Sequence, residues 1–301
     1  MQNNSSISEI DLVHLNIQDE TSTLKKVILG IAEDTGDPLD INPMSRWHIQ
    51  QGTYPTDDLL KIEIEKFEKL LVSNGVEVLR PKNIIGVEQI FCRDIGFVIE
   101  DYFLIANMKA EVRKKELPGI QHIIDSFDPE KVLLIPDDAI IEGGDVVLWN
   151  EYIFVGQSDR TNYAGYKFIK ETFPKKLVYP VQLNFGDDPE DNVLHLDCAF
   201  QPIGDHLAII YEDGFTTWPN IIYELFGADN FIRVSKSQKN RMFPNILSLS
   251  KNTVIVEKSF NELKFVLKSK GFNVLEVDFY ECSKLSGLFR CATLPLERVN
   301  V

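Results

Sequence analysis

A cysteine, a histidine and three carboxylates stand at corresponding places in this 301-residue chain. Arg93 and Asp94 lie just ahead of one apolar hairpin pattern. Glu142-Gly143-Gly144-Asp145 precede a second, His195 and Asp197 a third, and Asn245 a fourth. Cys291 opens the apolar run Ala292–Leu296. An ionised thiol is a nucleophile, an imidazole moves protons near neutral pH, and carboxylates hold cations. Together these groups suit covalent chemistry on a small cationic substrate. Singly, each has an ordinary explanation: Asp94 caps a turn, the glycines mark a bend, His195 is a satisfied core histidine and Cys291 an inert buried thiol. Metal ligation by His195, Asp197 and Cys291 is the rival use of the same side chains. No CxxC, HExxH or second nearby histidine accompanies them, so no metal is expected.

The elements that must gather these residues form a repeat. Phe97–Ile99 and Tyr102–Ile105 flank Glu100-Asp101; Val146–Trp149 and Tyr152–Val155 flank Asn150-Glu151. Cys198–Phe200 leads through Gly204-Asp205 to Leu207–Ile210, and Ile246–Leu249 through Lys251-Asn252 to Thr253–Val256. Two polar residues between apolar strand patterns predict a hairpin turn, and the turns recur about every 50 residues. Each hairpin is followed by a helical pattern (near Lys109–Phe127, Asn162–Phe173, Pro219–Phe226 and Ser259–Lys270) and then a lone strand (Val132–Ile135, Leu177–Val181, Phe231–Val234 and Phe272–Val277). A fifth copy begins with a helix at Asp57–Ser73, with Leu60, Ile64, Phe67 and Leu71 on one face, and a strand at Val76–Leu79. Its hairpin must come from both ends of the chain, Lys26–Ile31 beside Ala292–Leu296. The reading is an α/β fold of five ββαβ units in a ring with pseudo-fivefold symmetry. Equivalent positions in such a ring face one end of the axis. Asp94, Glu142, His195, Asp197 and Cys291 should therefore converge. Strand alternation places Asp197 on the face of His195 and turns Cys198 to the other, packed face.

Composition bounds the rest. With 31 basic and 46 acidic residues the net charge is −15, which repels phosphate backbones and makes nucleic acid an unfit partner. Hydrophobic residues make up 44% and charged residues 26%, an ordinary globular balance that excludes disorder for the chain as a whole. No stretch reaches the ~20 apolar residues of a membrane helix. The first residues carry no secretory pattern, and the four cysteines form no disulfide framework, so a cytoplasmic location is expected. Residues 1–19 read as a mobile arm and 20–301 as a single catalytic α/β-propeller domain. The sequence leaves the oligomeric state open, a homodimer included.

The quoted segments resemble the guanidino-group modifying (pentein) superfamily: arginine deiminases, dimethylarginine dimethylaminohydrolases and arginine:glycine amidinotransferases. Phe91-Cys92-Arg93-Asp94, Glu142-Gly143-Gly144-Asp145, Arg160-Thr161-Asn162, His195-Leu196-Asp197, Asn245-Ile246-Leu247 and Arg290–Arg298 appear in that family's order over about residues 25 to 298. The resemblance implies a five-unit propeller. It also implies Cys291 as nucleophile, His195 as acid–base, Glu142 as the carboxylate orienting His195, and Asp94 and Asp197 as the pair holding a guanidinium. No cofactor is implied. Arg290 is counted with the substrate-binding residues, and Arg46, Arg160, Arg233 and Arg241 are further candidates for a substrate carboxylate. The chain departs from the family at Ser286-Gly287-Leu288-Phe289, where glycines are common, so Leu288 and Phe289 are expected to narrow or re-aim the entrance. Cys92 replaces a common threonine. The expected activity is hydrolysis of an arginine-like substrate to a ureido product. Amidino transfer to an amine, and a non-catalytic binding module on the same ring, stand as alternatives.

Overall fold

The computed structural model describes residues 12–300. Among them, five three-stranded sheets share one plan: an antiparallel hairpin whose second strand is joined in parallel by a lone third strand. Strands β1 (Thr23–Leu29) and β2 (Glu77–Leu79) belong to the sheet built from both chain ends. The next four sheets follow in order: β3 (Gly96–Ile99), β4 (Tyr102–Ile105) and β5 (Val132–Leu134); β6 (Val146–Trp149), β7 (Tyr152–Gln157) and β8 (Leu177–Gln182); β9 (Phe200–Ile203), β10 (Leu207–Ile210) and β11 (Phe231–Arg233); β12 (Leu247–Ser250), β13 (Thr253–Glu257) and β14 (Asn273–Val277). Strand β15 (Thr293–Val299) returns to pair antiparallel with β1, Ile28 opposite Leu294 and Leu29 opposite Thr293. It also packs beside β3, while β1 packs beside β12.

Tight turns let apolar runs fold back on themselves. Glu100 and Asn150 take left-handed conformations at φ 57° and 54°, and Gly204 does so at φ 61°. Residues from Asp57 to Ser73 form the expected helix and bury Leu60, Ile64, Phe67 and Leu71. The helical pattern after β4 is broken: Arg113–Glu116 make a 3-10 turn and only Leu117–Ile124 are α-helical, with Pro118 in the first turn where its missing N–H costs nothing. Three short helices escaped the sequence reading: Pro43–Gln51, Lys236–Asn240 and Tyr280–Ser283. Pro43–Gln51 is capped by the Asn42 side chain on Ser45 N, and Lys236–Asn240 by a reciprocal Ser235–Gln238 box. Both caps are written in the sequence, but the helices are too short for an apolar stripe to announce them.

The N-terminal arm needs correction. Residues 1–11 lie outside the described residues, but 12–19 are tied down. Asn16 N donates to Leu296 O at 2.9 Å, Ile17 N to Glu100 O at 2.8 Å, and Leu15 and Ile17 are buried. Among the described residues, no helix is long and apolar enough to cross a membrane.

Candidate active site

The polar residues do not open the strands. They occupy tight turns immediately ahead of them. Gly143–Asp145 and Leu196–Cys198 are each a single 3-10 turn, leading into β6 and close to the start of β9, and Arg93-Asp94 turn into β3. Asp145 stitches the first two turns together: Oδ1 accepts from Leu196 N at 2.9 Å and Oδ2 from Ser158 Oγ at 2.6 Å. The turn geometry also corrects Cys198. Strand alternation does not apply there, and its Sγ lies 3.5 Å from Asp197 Oδ1, while Cys291 Sγ lies 3.7 Å from Oδ2 of the same carboxylate.

The convergence is real. His195 Nε2 meets Glu142 Oε2 at 2.9 Å, and His195 Nδ1 lies 3.7 Å from Asp94 Oδ1 without a hydrogen-bond partner. Asp94, Glu142, His195, Asp197 and Cys291 are all buried. The paired glycines allow this approach. A Cβ on Gly144 would sit 2.7 Å from His195 Cγ and 2.8 Å from Asp94 Oδ1. Gly144→Ala should therefore push the imidazole off Asp94 and lower kcat by roughly 10²-fold, the scale of a 1 Å misplacement. Steady-state kinetics on folded variant tests this, and unaltered turnover would refute the close-packing account.

Charge sets the protonation states. Burial alone would lower the His195 pKa, but Asp94, Glu142 and Asp145 raise it to about 9. Burial would likewise raise Asp94. The His195 imidazolium and the Arg113 guanidinium instead hold it below the usual carboxylate range. Burial pushes the Cys291 thiol up, and Asp197, Cys198 and Asp94 push it further. The resting site thus pairs a neutral thiol with a protonated imidazole.

Arg290 does not stand free for a substrate. It is fully buried, with Nε and Nη2 on Glu20, Nη1 on Asp197 at 2.8 Å and Nη2 also on Val146 O. It anchors Asp197 from behind, and its placement among the substrate-binding residues is corrected. Leu288 and Phe289 are also corrected: both are fully buried, and Phe289 packs on Phe67 and Phe279, so neither shapes the entrance. Arg233 lies against Glu212, and Arg241 over Phe243 and Phe260. Arg113, which the sequence reading missed, donates to Asp94 Oδ2 at 2.6 Å, to Phe91 O and to Glu116. Its position in a polar stretch after the first hairpin was the available signal. Arg160 lies 3.6 Å from Glu142 and donates to the Ile41 carbonyl. With Arg46, Asp159, Phe185 and Asp187 it lines a cavity of about 280 Å³. Ile41, Asn42 and Pro43 form another wall of that cavity, and Asn42 is tied to Leu285 O and Ser286 Oγ. Asp94, Glu142 and His195 could also hold a cation geometrically, although Arg113 and Arg160 already supply positive charge there.

A model of the family described as eukaryotic N,N dimethylarginine dimethylhydrolase matches residues 53–298. The chain belongs to this family. The uncharacterized protein YkgA of Bacillus subtilis is 31% identical over 235 residues, 75% of this chain and 79% of that protein. The N(G),N(G)-dimethylarginine dimethylaminohydrolase of Pseudomonas aeruginosa is 22% identical over 207 residues, 69% of this chain and 76% of that one. Among solved structures, the amidinotransferase SxtG of Microseira wollei superposes with TM-score 0.79 at 20% identity, covering 95% and 98% of the two chains. The N-terminal domain of ArgZ, a cyanobacterial arginine dihydrolase, superposes at 0.78 with 18% identity, covering 91% and 98%. These two share the mixed α/β fold of small sheets. As a member of the dimethylarginine dimethylhydrolase family, the chain is a guanidine-modifying enzyme.

Proposed function

We propose that this enzyme hydrolyses arginine or a substituted arginine to a ureido product through an amidino-cysteine intermediate. The observation that carries the reading is the buried arrangement in which Asp197 touches Cys291 while Asp94 and Glu142 bracket His195. The five like sheets, closed by pairing of the chain ends, support a five-unit propeller whose axis gathers these turns in a single catalytic domain.

A guanidinium placed between Asp94 and Asp197 offers several N–H donors to two carboxylates. With the guanidinium bound, Cys291 releases its proton to solvent and the thiolate attacks the guanidinium carbon, giving a tetrahedral adduct. Glu142 occupies His195 Nε2, so the unpartnered Nδ1 is the atom that protonates the departing amine. Collapse expels that amine and leaves the amidino-thioether. Neutral His195 then takes a proton from water as its oxygen attacks, and expulsion of the thiolate yields the ureido product. Arg160, which lines the cavity, is suited to the substrate carboxylate, which would replace the Ile41 carbonyl. The competing reading is amidino transfer. Thr161-Asn162-Tyr163 and His195–Phe200 resemble the transferases. A panel of arginine, methylated arginines, agmatine and guanidino acids, assayed for ureido product with and without an amine acceptor, separates the two. Failure of every compound to give either product would reject the proposal.

The resting protonation states carry a further prediction. A bound guanidinium neutralises Asp94 and Asp197 and sets positive charge against the sulfur, so the ligand should lower the Cys291 pKa. Thiolate absorbance against pH is expected to show a neutral thiol at pH 7 in the free enzyme and ionisation on addition of a non-reactive guanidinium ligand. Asp94→Asn should bind that ligand more weakly and ease ionisation of the free thiol. A free-enzyme thiolate indifferent to ligand would reject this sequence of events.

A further inference from the structure

Cys291 sits in a turn, closed by Ala292 N on Leu288 O at 3.0 Å. The leading N–H groups of such a turn have no partner within it and, when buried, must find acceptors elsewhere. One residue supplies them. The carboxamide Oδ1 of Asn245 accepts from Leu288 N and from Cys291 N, both at 3.1 Å, and its backbone oxygen accepts from Arg290 N at 3.3 Å. Its Nδ2 lies 3.5 Å from the backbone oxygen of Asp197. Asn245 is fully buried, three residues after Met242, which is held at φ 65°. Such a backbone conformation is costly for a non-glycine residue and persists only where its surroundings fix it.

We propose that Asn245 is the positioning residue that presents Cys291 for attack, by fixing the nucleophile's turn against the backbone of Asp197. This rests on the proposed role of Cys291. Asn245 bonds to the backbone of the nucleophile's turn and makes no hydrogen bond to the sulfur. It acts through three N–H groups and one carbonyl, and so fixes where the sulfur stands relative to Asp197 and His195. Asparagine suits the position because one oxygen can accept twice while the nitrogen donates in another direction. Alanine would orphan the two N–H groups and free the turn. Aspartate keeps an oxygen acceptor for both.

The test compares Asn245→Ala and Asn245→Asp with wild type in two reactions. One is turnover of whichever guanidino compound the panel identifies. The other is alkylation of Cys291 by iodoacetamide, followed by peptide mass spectrometry, which demands no alignment with substrate. The alanine variant should lose at least about tenfold, and up to roughly 10²-fold, in kcat with a small change in KM. Its Cys291 should alkylate several-fold faster, because a loosened thiol is less buried and ionises more readily. Asn245→Asp should restore at least tenfold of the turnover lost in alanine. Acceleration confined to Cys291 distinguishes positioning from loss of folded protein, which lowers turnover but also exposes the buried Cys92 and Cys282 to alkylation. Wild-type rates for both reactions in Asn245→Ala, or a turnover loss matching the unfolded fraction seen by circular dichroism with Cys92 and Cys282 alkylated as fast as Cys291, would overturn the proposal. Should wild type process no guanidino compound, the proposed function fails, while the alkylation arm still reads the hold of Asn245 on the thiol.

Discussion

Cys291→Ser is expected to abolish turnover, a loss of roughly 10⁴-fold or more, with the fold intact. A serine hydroxyl is a far weaker nucleophile than sulfur. Its ionisation would be harder still in a buried site where Asp197 and Asp94 already push the thiol up. The substitution removes little else. Serine is nearly isosteric, and its hydroxyl can donate to Asp197 Oδ2, which the thiol approaches at 3.7 Å. Thermal unfolding should therefore shift only slightly. Intact-mass and peptide mass spectrometry on quenched reactions should find an amidino adduct on Cys291 of wild type and none in the variant. Peptide-level mapping is essential, because Cys198 reaches the other oxygen of the same carboxylate. Near-wild-type turnover in Cys291→Ser, or an adduct found on Cys198 instead, would end the covalent role assigned to Cys291.

The gathering of Asp94, Glu142, His195, Asp197 and Cys291 was legible because sheet repeats turn sequence phase into spatial direction. Apolar runs and polar turn pairs mark the hairpins, and equivalent residues ahead of them then meet. What pattern could not give was direction within a turn. Cys198 was placed on the opposite face by strand alternation, yet residues 196–198 form a 3-10 turn in which no such rule holds. Arg290 looked like a substrate ligand because it adjoins Cys291. The turn sends its side chain to Glu20, a residue at the edge of what reads as a mobile arm, and no local signal links positions 270 apart. Glu20 is itself held down to about 2: burial would raise it, but Arg290 and Arg93 outweigh that cost. Arg113 and the helix Pro43–Gln51 were missed for a related reason. Arg113 stands in the polar start of the stretch read as a helix and Pro43–Gln51 in a polar connection, and neither pattern tells what it covers until the fold is formed. Asn245 was seen at the right phase, but only geometry reveals that its oxygen takes two N–H groups of the nucleophile's turn.

His195→Ala should lower turnover by roughly 10²–10⁴-fold, the usual worth of general acid–base catalysis. Most of that loss should be recoverable in the first step by changing the substrate. The imidazole is held at about 9 by Asp94, Glu142 and Asp145, so at neutral pH it is the acid form that faces the substrate. Its task in the first step is to protonate an amine that is otherwise a poor leaving group. An S-alkyl isothiourea analogue of arginine, whose thiolate departs without that proton, should still form the Cys291 adduct in the variant. The adduct should then accumulate, because no base remains to activate water. In wild type, the alkaline limb of turnover with arginine should fall near pH 9 as the acid form is lost. The same shift predicts the stability difference. A histidine whose folded pKa lies above its ordinary 6.5 contributes stability that is full below that value and lost as pH rises through about 9. The gap in Tm between wild type and His195→Ala should therefore be widest near pH 6 and close above pH 9. If the isothiourea forms no adduct in a folded His195→Ala enzyme, while wild type forms it readily, His195 is not acting as the leaving-group acid. Its proximity to Asp94 would then have to serve guanidinium binding instead.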